Sequence, residues 1–225
     1  MQIGKGQVLE LILEDGCHYV RVSCPPNLIP SPGQYLLASH ASDVPLPVPL
    51  FYTDSAHQGF IAAGLAPVTW NPGFELHLRG PLGRGFTLPL SARKVGLVAF
   101  DDAPGRLRGL ISQILKQDAA VVLVCDTAPD NLPDDVEVQP LSTLSDIVEW
   151  ADFLAFDVTR ENLHQLKERL GKRNQLTAMN EAQVLIRTPV PCGGVADCGV
   201  CAVNLKSGWR LACNDGPIFD WRELE

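Results

Sequence analysis

The sequence has no basic stripe: 18 lysines and arginines stand against 26 aspartates and glutamates, a net charge of −8. An acidic chain of this kind is a poor match for a phosphate backbone, which argues against nucleic-acid binding. There is no apolar run long enough to span a bilayer and no secretory pattern at the N-terminus. A soluble, cytoplasmic protein with no membrane partner is therefore expected. Internal repeats, low-complexity tracts and long charge runs are also missing. The five histidines, His18, His40, His57, His77 and His164, are scattered without ligand spacing. Seven cysteines, an odd number, fit a reducing compartment better than a disulfide framework.

Four of those cysteines fall near the C-terminus: Cys192, Cys198, Cys201 and Cys213, separated by five, two and eleven residues. Four thiolates suit a structural zinc or an iron–sulfur cluster. Zinc with four cysteines usually takes two Cys-x-x-Cys knuckles, and only Cys198 to Cys201 has that form. A plant-type 2Fe–2S site draws three thiolates from one loop and the fourth from a distant position, which is the topology here. Gly193, Gly194, Ala196 and Gly199 let the backbone wrap closely and aim amides at sulfur. Zinc and free thiols stay open as the alternatives. Cys17, Cys24 and Cys125 lie apart, with no neighbouring base to activate them, and Cys125 reads as a small core residue.

The expected fold class is β followed by α/β. Residues 1–90 read as an antiparallel barrel of short strands, 91–185 as a parallel sheet with helices, and 186–225 as the cysteine segment. In the first part, Gly6 to Leu13 and Cys17 to Val22 form strands around an Asp15-Gly16 turn, and Phe74 to Gly80 alternates apolar and polar. In the second, strands are predicted at Val95–Phe100, Ala119–Cys125, Val136–Pro140 and Asp152–Asp157. Helices are predicted at Leu107–Lys116, Leu144–Trp150 and Glu161–Leu170, the last ended by Gly171.

Cys192 through Phe219, with Cys213-Asn214-Asp215-Gly216-Pro217-Ile218-Phe219, resembles the cluster-binding segment of the electron-transfer subunit of class 1B dihydroorotate dehydrogenase. The first cysteine gap is one residue longer than that family's usual four. Pro32-Gly33-Gln34-Tyr35 resembles the Pro-Gly-Gln-Phe turn of ferredoxin-reductase-like flavoproteins, and Gly80-Pro81-Leu82-Gly83-Arg84-Gly85-Phe86 resembles the subunit's domain junction. The resemblance implies a flavin-binding-type barrel, a Rossmann-like NAD domain and a 2Fe–2S cluster on Cys192, Cys198, Cys201 and Cys213. It also implies a catalytic flavoprotein partner that oxidises dihydroorotate, within a hetero-oligomer serving pyrimidine biosynthesis.

The nucleotide motifs depart from that family. Its flavin strand carries Arg-x-x-Ser or Arg-x-Tyr-Ser, and here Val48 replaces the arginine and Phe51 the serine. No bidentate cation remains at that place to meet a diphosphate. Its Gly-x-Gly-Thr shrinks to Ala66-Pro67-Val68-Thr69-Trp70. Tyr52, Thr53 and Thr69 are left as candidate FAD contacts, with ordinary core and turn roles as the competing reading. The glycine-rich phosphate loop is replaced by Asp101-Asp102-Ala103-Pro104-Gly105, and the later Cys-Gly-Pro by Ala155-Phe156-Asp157-Val158-Thr159. Carboxylates stand where a pyrophosphate would sit, so NAD binding is expected to be lost or weakened. Arg106 and Arg108 read as solvated helix charges that could at most rescue an anion site. The reading favoured is an electron-transfer subunit with a 2Fe–2S cluster. The alternatives are a non-redox structural or regulatory subunit with a zinc-type site, and an FAD-dependent NAD(P)H oxidoreductase with atypical contacts.

Overall fold

Alternation of apolar and polar residues builds the N-terminal barrel. In β6 (Glu75–Leu82), Leu76, Leu78 and Gly80 are buried while Glu75 and His77 face water. The same period sends Val8 of β1 (Gln2–Glu14) and Val20 and Val22 of β2 (Cys17–Ser23) into one core. Leu36 and Ala38 of β3 (Tyr35–Ser39), Leu50 of β4 (Val48–Ala56) and Phe60 and Ala62 of β5 (Gly59–Ala63) complete it, with Trp70. The six strands close in the order β1-β2-β5-β4-β3-β6, which removes every free edge. The computed structural model describes residues 2–14, 17–40, 46–64, 66–67, 69–101, 104–171 and 181–224. The expected Asp15-Gly16 turn and the motif residues Val68, Asp102 and Ala103 lie outside them.

The second half is a six-stranded sheet in the order β14-β11-β10-β7-β8-β9. β7 (Lys94–Ala99), β8 (Ala120–Val124), β9 (Val136–Gln139), β10 (Phe153–Thr159) and β11 (Glu181–Arg187) are parallel. The strands predicted at 95–100, 119–125, 136–140 and 152–157 appear within a residue or two. α1 (Gly105–Lys116) covers one face through Leu107, Leu110, Ile111 and Ile114, as its spacing predicts. α2 (Leu144–Trp150) and α3 (Leu163–Leu170) cover the other. Gly171 ends α3 at φ +82°, the left-handed stop expected there. Among the described residues no helix is long and apolar enough to cross a membrane.

The cysteine segment is not an appendage. Its last strand, β14 (Ile218–Asp220), pairs antiparallel with β11 and becomes an edge of the sheet. β11 itself runs to Arg187, so the expected boundary at 185/186 falls inside one strand. Three turns named from sequence meet at this seam. The Arg84 N–H donates to the Gly216 carbonyl at 2.6 Å. Gly33, at φ +86°, packs under Ile218 and Phe86. Gly83, at φ +76°, has no room for a side chain: a Cβ would lie 2.4 Å from Pro217 Cδ and 2.8 Å from the Gly216 oxygen. Gly83→Ala is therefore expected to lower the unfolding free energy by about 2 kcal/mol or more, measured by urea denaturation.

Candidate metal centre

The cysteine loop is wound by left-handed residues. Gly193, Gly194, Ala196 and Gly199 all have φ between +61° and +72°, including the one that is not glycine. Such a path turns successive amides inward. The Cys192 thiol accepts from the backbone N–H groups of Asp197, Val195 and Cys198, and Cys213 accepts from that of Ala196. Of the four residues whose amides are expected to face sulfur, Ala196 is the one seen to do so, and the Gly193 N–H donates instead to the Val190 carbonyl at 3.0 Å.

A hairpin brings the fourth cysteine back. β12 (Ala202–Leu205) and β13 (Gly208–Leu211) pair antiparallel, and the Ala212 N–H donates to the Cys201 carbonyl at 3.0 Å. Asp215 Oδ2 accepts from the Leu211 N–H at 2.9 Å and fixes the turn that carries Cys213. Cys201 and Cys213 are buried and continuous with the apolar core on the α2/α3 side of the sheet. Cys192 is half-buried and Cys198 exposed.

The thiols form pairs. Cys192 lies beside Cys198, and Cys201 beside Cys213. Among the described residues no three His, Cys, Asp or Glu side chains gather as they would around a single metal ion. The pairs have opposite character. Hydrogen bonds, the Asp197 amide foremost, pull the Cys192 pKa down to about 6. Burial, then the Cys201 thiol, pushes Cys213 up to about 12. Two thiols per side, with amide donors around them, is a donor set that fits two irons, each needing two thiolates. It fits one tetrahedral zinc less well. Elsewhere, Cys125 is buried in the α1-side core as expected, and burial raises it to about 11.

The place where a Rossmann-type sheet would take a dinucleotide, beyond the C-terminal ends of β7 and β10, holds a network of side chains. Asp101 accepts from the Thr159 N–H at 2.9 Å, the Thr159 hydroxyl at 2.5 Å and Asn162 Nδ2 at 2.9 Å, and is paired with Arg187. Asp157, only 1% exposed, accepts from Arg187 Nε at 2.7 Å and Arg106 Nη1 at 3.3 Å. The reading of Arg106 as a solvated helix charge is thus wrong: its side chain is 14% exposed and bound to Asp157. Arg108 reaches the Asn131 carbonyl at 3.5 Å and lines a small cleft. Burial alone would raise Asp101, but the Thr159 bonds, the Arg187 charge and Asn162 outweigh it and hold its pKa below the usual range. The N-terminus of α1 is covered as well. A Cβ at Gly105 would lie 2.6 Å from the Tyr19 ring.

The candidate flavin residues do not share one surface. The Tyr52 ring stacks toward Phe60 at 6.2 Å and lies against Gly109 of α1, where a Cβ would approach it to 2.7 Å. Its hydroxyl meets Ser55 Oγ at 2.8 Å. Thr53 is 2% exposed, in the cleft with Ile12, Tyr19, Asp54, Ile61 and Arg108. Thr69 is exposed on a turn whose carbonyl accepts from Asn71 Nδ2 at 3.1 Å. Phe51, in the place of the motif serine, lies 5.2 Å from the Tyr35 ring and 5.7 Å from the Arg106 guanidinium. Sequence reasoning missed Arg187, and it noted Asp157 only as a replaced motif. The signal available was a carboxylate inside the apolar run Phe153 to Val158.

Residues 192–225 match the iron–sulfur cluster binding domain of dihydroorotate dehydrogenase B. The resemblance seen in Cys192 to Phe219 is borne out by that match. The whole chain is similar to solved structures of one fold. An NADH-dependent reduced ferredoxin–NADP oxidoreductase, described for flavin-based electron bifurcation, aligns at TM-score 0.75 and 16% identity, over 98% of this chain and 89% of that one. The ferredoxin–NADP+ reductase from Plasmodium falciparum aligns at 0.59 and 7% identity, over 81% of this chain and 95% of that one. The flavohem-like FAD/NAD binding domain of nitric oxide dioxygenase from Vibrio cholerae O1 biovar El Tor aligns at 0.57 and 15%, over 81% and 98%. At these identities the likeness carries the fold alone: a ferredoxin-reductase-like barrel and sheet, here with an iron–sulfur segment.

Asp157→Ala would leave Arg187 and Arg106 facing a buried gap. It is expected to cost about 3–5 kcal/mol in chemical denaturation. The acid limb should reflect Asp101. Its folded pKa lies below the unfolded value of about 3.9, so its contribution is complete above that pH and is lost as pH falls toward the folded value. Stability of Asp101→Asn measured from pH 7 to pH 2 should converge on wild type at the acid end.

Proposed function

We propose that this chain is an electron-transfer subunit in which Cys192, Cys198, Cys201 and Cys213 hold one 2Fe–2S cluster. The observation that carries the reading is the pairing of thiols inside an amide-lined loop, within the segment that matches an iron–sulfur binding domain. When bound, such a cluster accepts and releases one electron at a time. The chain's own residues supply the rest. The loop amides stabilise anionic sulfur, and β14 fixes the segment to the sheet. The buried thiols Cys201 and Cys213 exclude water on one side, while Cys198 leaves the other side open to a donor or acceptor. The partner implied by the matched segment is a catalytic flavoprotein of the dihydroorotate dehydrogenase kind, in a hetero-oligomer within the cytoplasm.

We infer further that neither FAD nor NAD is held in the manner of the related flavoproteins. Three contacts support this: Phe51 between Tyr35 and Arg106, Gly109 closing on Tyr52, and the Asp101–Asp157–Arg187 network at the sheet's crevice. Each is a protein–protein contact made by residues at or beside a departed nucleotide motif. The domain division at 1–90, 91–185 and 186–225 belongs to the same proposal, with β11 shared across its second boundary.

The test is anaerobic purification with iron, acid-labile sulfide, zinc and released flavin quantified in one preparation. About two irons and two sulfides per chain are expected, with little zinc or flavin. Cys201→Ser and Cys213→Ser should each lose most of the iron and sulfide. Zinc without sulfide would overturn the electron-transfer reading in favour of a structural site. Stoichiometric FAD would restore the full nucleotide-dependent path.

A further inference from the structure

Among the described residues, four buried polar groups on the barrel, on Arg21, Tyr35, Thr53 and Arg79, have no hydrogen-bond partner, and two of them, Tyr35 and Arg79, face the cysteine loop. Tyr35 begins β3 and is 1% exposed, and its hydroxyl meets no acceptor. Arg79 lies on β6, with Nη2 buried and unpartnered. The loop comes to them. A Cβ placed on Gly194 would lie 3.5 Å from Tyr35 Oη, and one on Gly193 would lie 3.4 Å from Arg79 Nη2. The remaining contacts at those two glycines are apolar, from Leu37, Leu82 and Pro47. The Tyr35 hydroxyl is close enough to Cys213, Cys201 and Cys192 to interact with each electrostatically.

Native proteins rarely leave a buried donor without an acceptor. Here a phenol O–H and a guanidinium N–H lie against adjacent glycines of one loop, and that loop carries the thiol sulfurs. We propose that Tyr35 and Arg79 donate hydrogen bonds to sulfur at the Cys192–Cys213 site and raise the reduction potential of the group it holds. The proposal rests on the iron–sulfur reading given above. Its physical basis is charge. Reduction adds one negative charge to a site already rich in thiolate, and donors or cations aimed at sulfur favour that state. The hydroxyl is a departure of this chain: the turn it resembles ends in phenylalanine, which has the ring but nothing to donate. Tyr35 and Arg79 are thus tuning residues contributed by the barrel to a centre held by a different part of the chain.

The experiment compares the full-length wild type with Tyr35→Phe and Arg79→Gln, purified anaerobically with iron and sulfide measured first. Each is titrated with dithionite and mediators, and the reduced cluster is followed by electron paramagnetic resonance. Tyr35→Phe keeps the ring packing, so iron and sulfide per chain should match wild type. Its midpoint should fall enough to shift the oxidised-to-reduced ratio about tenfold at fixed potential, about 59 mV for one electron. Arg79→Gln should fall at least as far, and Arg79→Lys should recover part of the shift. Iron–sulfur stretching frequencies by resonance Raman should move between H2O and D2O in wild type and move less in Tyr35→Phe. Unchanged midpoints in Tyr35→Phe and Arg79→Gln, at full iron and sulfide content, would overturn the proposal while leaving the cluster reading intact. A wild type without sulfide would overturn both, and the initial assay separates that case from the other.

Discussion

Everything the cysteines do in this molecule depends on a short piece of backbone pairing, Ile218–Asp220 against Leu185–Gln183. That pairing makes a cysteine-rich tail the outer strand of a folded sheet. Phe219 enters the core shared by α2, α3 and the hairpin, and Ile218 sits under Gly33 of the barrel. Pro217 leaves Gly83 no room for a side chain. One strand therefore holds the barrel, sheet and thiol loop in fixed relation. Without it, the barrel residues that face Gly193 and Gly194 would have nothing to face.

The crevice beyond β7 and β10 is occupied by the chain's own charged side chains. A dinucleotide fold needs a glycine turn there, so that amides can reach phosphate. This chain supplies the anion itself, as Asp101 and Asp157, and answers it with Arg106 and Arg187. Two carboxylates and two guanidiniums leave the cluster of charges neutral.

Much of this architecture was legible in the sequence because it is local. Alternation gave β6, and the spacing of Leu107, Leu110, Ile111 and Ile114 gave α1. The cysteine spacing also reads directly, since three of the four clustered cysteines share one loop. Other features depend on partners far along the chain. β14 is three residues long, too short for any period, and exists because β11 lies beside it. Arg106 looks like a surface charge until Asp157, 51 residues away, is placed under it. Tyr35 reads as an aromatic in a turn, and nothing nearby in sequence says that its hydroxyl is buried against Gly194.

The two thiol pairs differ in a way that bears on how the site is filled. Cys198 is open to solvent, and beside it hydrogen bonds, the Asp197 amide foremost, pull the Cys192 pKa down to about 6. Cys201 and Cys213 are enclosed, and burial pushes the Cys213 thiol up to about 12. The two sides therefore differ in access: a group arriving from solvent meets Cys198 before the buried Cys201 and Cys213. The burial gradient across one small loop is thus also a gradient of access.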